Sequence, residues 1–433
     1  MNRIFLSIVL IFAFLSLRAQ DTITVMQYNL LEYGNHNSAW AECYESNNNT
    51  QEKDECIRKI LNYVQPDILT VNEFGATQAI QDNFIRHNLN INGVHYWRSD
   101  NIVNYANSNI INHIFYNSDK MTLKKHAVIR TSVRDIDAYE LYFRTAGLAA
   151  NDTIRLVCIV AHLKAGNGYE GTRRAMLQNV MDYVDENYPT DNVLIMGDFN
   201  MYSASESGYR LLTQTYENHD ILFVDPLQSL GGVGDWDNNG QYANFHTQST
   251  MDWSNNPCRS GGGMDSRFDF ILMADEIYMG FNDVRYVNNS YRAIGNDGQH
   301  FNRSINDGYN AAVTQDLANA LYTMSDHLPV TMKLAVYAKL GVDENALTPE
   351  FNLEASPNPA HNTTQVCFYN RFDGPISFDI YNMEGQLVRH ETEYFSRGNQ
   401  LHEVSLEGLA KGMYALQISN SDLKREVIKL VVL

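Results

Sequence analysis

The hydrophobic positions of this chain fall into short runs, each closed by a polar residue. Five of them, Ile23–Tyr28, Asp67–Val71, Leu156–Leu163, Val193–Met196 and Phe268–Met273, are rich in β-branched and aromatic side chains and predict buried strands. Between them, apolar residues recur at helical spacing. Cys56, Ile57, Ile60, Leu61 and Val64 share one face. Met176, Leu177, Val180, Met181 and Val184 share another, with Thr172 placed to cap that helix. Strands alternating with helices from about residue 20 to 338 predict an α/β domain. From about residue 355 the pattern changes to short alternating strands with Gly turns, which predicts a small β-sandwich. Residues 339–354 carry Asp343, Glu344, Asn345, Thr348 and Pro349 without periodicity and read as a linker. The Gly- and Asn-rich stretch Leu230–Gly263 holds Trp236, Tyr242, Phe245 and Trp253. Its length predicts a functional or partly folded loop whose aromatics make a small core of their own.

The first residues have a different logic. Asn2 and Arg3 precede an apolar run from Ile4 to Leu17, and the small Ala19 follows. That is the pattern of a secretory signal peptide, residues 1–19, and the run is short for a bilayer span. The mature protein is therefore expected to be soluble and exported. Five cysteines are too few for a disulfide scaffold and lack zinc spacing. Cys43 and Cys56 flank Asn47–Thr50 and could staple that segment in an oxidising compartment, while Cys158 lies in an apolar run and reads as a buried thiol.

Composition narrows the function classes. The chain has 433 residues, 44% hydrophobic and 19% charged, which excludes wholesale disorder. Its formal charge of −19 argues against a passive nucleic-acid coat. It does not argue against an enzyme that meets a phosphate ester through a metal ion and a local basic patch. Such a patch is present: Lys120–Arg174 contains ten basic and five acidic residues.

Candidate chemistry recurs where the apolar runs end. Asn29 follows the first run and Glu73 the second. His162 ends the third, and Asp198 and Asn200 follow the fourth. Asp269 lies in the fifth, and Asp326 and His327 precede the last run of the domain. Strand ends are where open α/β sheets place their sites. Glu73 and Asp326 are oxygen ligands suited to a hard divalent cation. His162 and His327 can move protons or contact a phosphoryl oxygen near neutral pH. Asn29 and Asn200 can orient water or phosphate without adding charge.

The segments Met26-Gln27-Tyr28-Asn29, Pro66–Glu73, Ala161-His162-Leu163-Lys164, Gly197-Asp198-Phe199-Asn200, Arg267–Leu272 and Ser325–Val330 resemble, in order, the motifs of the endonuclease/exonuclease/phosphatase superfamily, which includes deoxyribonuclease I. The resemblance implies a four-layer α/β sandwich. It also implies that Glu73 is the principal Mg²⁺ ligand (Mn²⁺ or Ca²⁺ being alternatives), with Asn29 and Asp326 around the metal. By the same resemblance Asp198 and Asn200 position the attacking water and the phosphate, His162 and His327 contact the phosphate and handle protons, and Asp269 supports a histidine. Asn72 departs from the Gln that many members carry before the metal-binding Glu. Lys164, Arg174 and Arg144 are the candidates for further phosphate contacts. The Ser356-Pro357-Asn358-Pro359 start, the Gly385-Gln386-Leu387-Val388 strand and the Lys411-Gly412-Met413-Tyr414 turn resemble the type A sorting domain of the type IX secretion system of Bacteroidetes. That implies export through this machinery to the outer-membrane surface or beyond.

Three functions follow as expectations. The first is a secreted metal-dependent phosphodiesterase acting on extracellular DNA or RNA. The second is the same chemistry on a phospholipid, as in a sphingomyelinase, or on a soluble phosphate ester. The third is an inactive binding or adhesion protein, against which the intact residue set argues. Asp198 and His327 are both eligible as general base, and the residues accommodate one metal or two.

Overall fold

The computed structural model describes residues 19–36, 42–144, 153–214, 219, 221–253, 255–338, 351–371, 373–421 and 425–433. The signal peptide, apart from Ala19, lies outside the described residues, as does the linker up to residue 350.

The first domain contains strands β1 (Ala19–Tyr33), β2 (Ile68–Gly75), β3 (Trp97–Ser99), β4 (Ile110–Asn117), β5 (Met121–Ile129), β6 (Ile136–Phe143) and β7 (Arg155–His162). It continues with β8 (Val193–Asp198), β9 (Phe223–Val224), β10 (Asp269–Ala274), β11 (Val284–Tyr286), β12 (Arg292–Ala293) and β13 (Val330–Ala338). Its helices are α1 (Thr50–Val64), α2 (Gln78–Phe84), α3 (Glu170–Asn187), α4 (Ser207–Thr213), α5 (Asp275–Met279) and α6 (Gln315–Met324). One sheet runs β11-β13-β1-β2-β4-β3, with β12 also on β13, and the other β5-β6-β7-β8-β10-β9. Each has one central parallel pair, β1 with β2 and β7 with β8. Parallel neighbours need a crossover, and α1 and α3 supply them.

Three apolar layers show how the sheets stack. Ile23, Val25, Ile68, Val160, Met196, Ile271 and Val330 fill the space between the two sheets. Ile57, Ile60 and Leu321 from α1 and α6 cover the outer face of the first sheet, with Leu69, Val71 and Phe115 beneath. Met176, Leu177, Val180 and Leu211 from α3 and α4 cover the second, over Ile159, Ile195 and Phe270. The order is helices, sheet, sheet, helices, the four-layer sandwich. Strands apolar on both faces need such cover, which is why their sequences read as continuous runs.

Three sequence expectations change. Helix α3 starts at Glu170 after Tyr169, so Thr172 lies within its first turn and does not cap it. The Leu230–Gly263 segment has no separate core: Trp236 is fully buried in the main core and donates its indole N–H to Met201 O at 2.9 Å, whereas Trp253 is 73% exposed. Cys43 is bonded to Cys258, 215 residues away, and Cys56 is a half-buried free thiol on α1.

The C-terminal region is a sandwich of β14 (Glu354–Ser356), β15 (Thr363–Asn370) and β18 (Gly398–Ser405) against β16 (Gly374–Tyr381), β17 (Leu387–Phe395), β19 (Gly412–Asn420) and β20 (Arg425–Val432). Phe351 and Leu353 pack into its core with Phe368, Phe378, Leu416 and Leu430. It sits on α5. Asp275 Oδ2 accepts from Tyr369 and from Arg397 at 3.2 Å, and Glu276 Oε1 lies 3.9 Å from both Arg371 and Arg397. Arg371 also lies over the Phe281 ring, 5.0 Å from its centroid.

One buried group makes stability pH-dependent. His113 on β4 stacks on Phe74 at 6.1 Å, and its Nε2 meets Ser99 Oγ at 2.5 Å. Burial, with a smaller contribution from His126, pushes its imidazole down to about 3. The folded chain therefore refuses a proton that the unfolded chain takes up near pH 6.5. The stability is present above that pH and is lost as pH falls toward 3. At pH 5 the loss from this group alone is roughly 2 kcal/mol. Urea denaturation at pH 7 and pH 5 checks this: His113→Phe is expected to flatten the pH dependence by about that amount, and an unchanged slope would remove His113 as its source.

Candidate active site

β1, β2, β7 and β8 run toward one edge of the sandwich and β10 starts from it, and each delivers a side chain there. β7 and β8 run parallel with Ala161 opposite Gly197 and His162 opposite Asp198. β10 runs antiparallel to β8 with Asp269 opposite Asp198. The approach of β7 to β8 requires glycine: a Cβ at Gly197, with φ +147°, would lie 1.7 Å from Ala161 O. Glu73, at a register shift within β2, has φ 54°, and Asn200, just beyond β8, has φ 51°, in the left-handed region that non-Gly residues rarely occupy. Such strain collects at sites that the surrounding structure holds in place.

Asn29 lies at the centre. Its amide nitrogen donates to Glu73 Oε1 and to Asp198 Oδ2, each at 3.0 Å. His162 Nε2 lies 3.5 Å from Asp198 Oδ2 and 3.9 Å from Glu73 Oε1. His327 Nε2 approaches Asp198 Oδ2 from the other side at 3.7 Å, and its Nδ1 meets Asp269 Oδ2 at 2.7 Å. Asn200 N–H donates to Asp198 Oδ1 at 3.1 Å. Ligand atoms of Glu73, His162 and Asp198 all lie within 4.8 Å of one another, a spacing able to hold a metal ion. Asp326 stands beside this group: its Oδ2 accepts from Ser260 N–H at 2.9 Å, and its buried Oδ1 has no hydrogen-bond partner. Hard oxygen donors, one imidazole and a buried unsatisfied carboxylate oxygen fit a divalent cation.

The two histidines differ because their neighbours differ. Burial lowers the His162 imidazole well below its ordinary range, and the cations Arg134, His327 and Lys164 lower it further. It is neutral and accepts from the Arg134 guanidinium at Nδ1. Burial also opposes charge on His327, but the carboxylates of Asp269, Asp198 and Asp326 outweigh it and raise its pKa. Burial pushes Asp198 up to about 7, while His327 and the Asn29 amide hold it down.

Residues 26–327 match the profile of the Endonuclease/Exonuclease/phosphatase family. The chain belongs to this family. Residues 355–433 match the secretion system C-terminal sorting domain, which indicates type IX export and a place outside the cell or on its surface. No curated protein matches the chain. Similar solved structures include the human Nocturnin catalytic domain with bound sulfate, at 16% identity and TM-score 0.42, covering 74% of this chain and 98% of that one. Family proteins of Bacteroides thetaiotaomicron (14% identity, TM-score 0.43, 73% and 98% covered) and Bacteroides vulgatus (14%, 0.45, 73% and 99%) are also similar. Among the described residues no helix is long and apolar enough to cross a membrane.

The basic segment Lys120–Arg174 splits between the two ends of the sandwich. Arg130, Arg134 and Lys164 lie at the edge with His162. Lys120 pairs with Asp67 at 3.0 Å and Arg155 with Asp191 at 2.5 Å, both at the opposite end. Arg144 is also remote. It follows β6, whose Tyr142 faces Arg155 on β7, seven residues or about 23 Å from His162. Its Nε donates to Thr122. Strand β6 runs away from the site, so Arg144 is not brought to the cluster. Arg174 donates to Ser207 O at 3.1 Å, on the helix behind the edge.

Sequence reasoning missed three contributors. Arg134, in the β5–β6 hairpin, touches His162. Gln248 brings its amide tip 2.7 Å from His327 Nε2. Lys53 on α1 is buried and donates to Leu30 O at 2.7 Å beneath the Glu73 side. The apolar face of α1 concealed Lys53, and neither Arg134 nor Gln248 sits at the end of an apolar run.

The His327–Asp269 pair is testable by NMR. The His327 ring resonance is expected not to titrate between pH 6 and 8 in the unaltered chain. Asp269→Asn removes the nearest carboxylate and is expected to bring the midpoint down into that window. A midpoint unmoved by the substitution would assign the charge on His327 to another group.

Proposed function

We propose that the chain is an exported, metal-dependent phosphodiesterase whose substrate is extracellular nucleic acid. The observation carrying this reading is the convergence of Glu73, His162 and Asp198 with Asn29 and His327 at one open edge. Glu73, helped by Asp198 and Asp326, would hold a divalent ion, which supplies charge neutralisation at a phosphoryl oxygen. The remaining chemistry belongs to the chain. Asp198, with a carboxyl near 7, is suited to accept a proton from water at neutral pH. Asn200 supports it from the following turn. His327, charged and fixed by Asp269, and His162, neutral and fixed by Arg134, would donate hydrogen bonds to the negative charge that grows on the transferring phosphoryl group.

The rim supports a nucleic-acid substrate. Arg130 lies 5.9 Å from the ring centroid of Tyr105, which is 64% exposed, and Lys164 lies 4.4 Å from that of Tyr169, which is 45% exposed. Cations beside exposed rings can meet phosphates and stack on unpaired bases. A second reading, a phospholipid head group, is favoured by the exposed Trp253 alone.

The test offers the mature chain plasmid DNA, single-stranded RNA, sphingomyelin vesicles and a small phosphate diester, with Mg²⁺ or with EDTA. Nucleic-acid cleavage that needs Mg²⁺ and falls about 10³-fold in Asp198→Ala is expected. Hydrolysis of lipid without cleavage of either nucleic acid would replace this reading with the second.

A further inference from the structure

Two loops flank the Glu73–Asp326 side of the site, and each supports it by a different backbone contact. The first is the segment after residue 42. Asn48 donates its amide to Leu31 O at 2.9 Å and to Glu32 O at 3.3 Å. Leu31 and Glu32 are themselves held at positive φ, 47° and 53°. Glu32 N–H in turn donates to Glu73 Oε2 at 3.2 Å. The second loop precedes β10. Its Ser260 N–H donates to Asp326 Oδ2 at 2.9 Å, and its Thr250 N–H donates to Asp326 O at 3.0 Å. Cys43 of the first loop is bonded to Cys258 of the second, and Leu31 packs against the pair. Asn256 adds one further link, donating to Asn47 O at 2.7 Å.

We propose that the Cys43–Cys258 disulfide is the positioning element of the metal-binding carboxylates, so that Glu73 and Asp326 reach their binding geometry only in the oxidised chain. The inference rests on the proposed metal-dependent reading. Both loops lie outside the strands named above, and the disulfide and the Asn256 amide are two links between them. A single side-chain hydrogen bond is a weak tether between irregular segments. With the bond open, Leu31 loses the packed Cys43–Cys258 pair, and the segment carrying Ser260 loses its covalent tie to the segment carrying Asn48. Glu73 and Asp326 then lose the fixed separation that a cation with several oxygen ligands requires. An enzyme built this way binds its metal poorly in a reducing cytoplasm and well after export, where disulfides persist.

Calorimetric titration of the mature chain with Mg²⁺ or Mn²⁺ tests this directly. It is run oxidised, after treatment with dithiothreitol, and as Cys43→Ser/Cys258→Ser. Dithiothreitol delivers two electrons and two protons to the S–S bond, giving two thiols and its own cyclic disulfide. The reduced chain and the double variant are expected to bind metal about tenfold more weakly, and reoxidation to restore the affinity. Excess metal is expected to restore turnover with an unchanged KM for substrate. Asn48→Ala, which keeps the disulfide and removes one support, is expected to give a smaller loss, and Cys367→Ser in the C-terminal sandwich none. Equal metal affinity in the oxidised and reduced folded chains would overturn the proposal. So would a double variant that has lost its near-ultraviolet circular dichroism along with its metal binding, if Asn48→Ala binds normally. If the oxidised chain binds metal but cleaves none of the substrates above, the functional reading fails while this one stands.

Discussion

A buried amide ties the two sheets together beneath the site. Asn72, on β2 of the first sheet, accepts at Oδ1 from Asp198 N–H at 2.8 Å and from Gln27 at 2.7 Å. Its nitrogen donates to Asn112 at 2.8 Å and to Ala161 O at 3.3 Å. Asp198 and Ala161 belong to the second sheet, so the residue before Glu73 is hydrogen-bonded to the strands that carry Asp198 and His162. Apolar packing between sheets is non-directional and tolerates sliding. A fully satisfied polar contact inside that layer does not. Asn72 thus fixes the relative position of the strands that carry Glu73, His162 and Asp198.

Burial and neighbours then divide the chemistry among similar groups. Two histidines meet the same carboxylate, yet one is neutral and the other charged, because Arg134 faces the first and Asp269 the second. The sequence offers two histidines near neutral pH. Only the fold gives them different tasks, as environment does for paired catalytic groups in general.

Much of this was legible along the chain. Strands buried on both faces announce themselves as apolar runs, and the polar residue ending each run lands at the shared edge. That is why Asn29, Glu73, His162, Asp198 and Asp269 could be named. Features fixed by contacts distant in sequence were not legible. Cys43 passes over Cys56 for a partner 215 residues on, because the helix carrying Cys56 turns it toward the first-sheet core. Arg144 stands near the sequence place of a family phosphate-binding arginine, but position along the chain says nothing about strand direction, and β6 carries it away. Trp236 lies in a Gly-rich loop but caps the α3–α4 layer, a role no local pattern signals.

The C-terminal sandwich grips α5, and α5 follows the end of β10 opposite to Asp269. Six residues of extended chain, about 20 Å, therefore separate the arginine clasp from the edge that holds the candidate site. The clasp on the sorting domain and the candidate site occupy opposite poles of one strand.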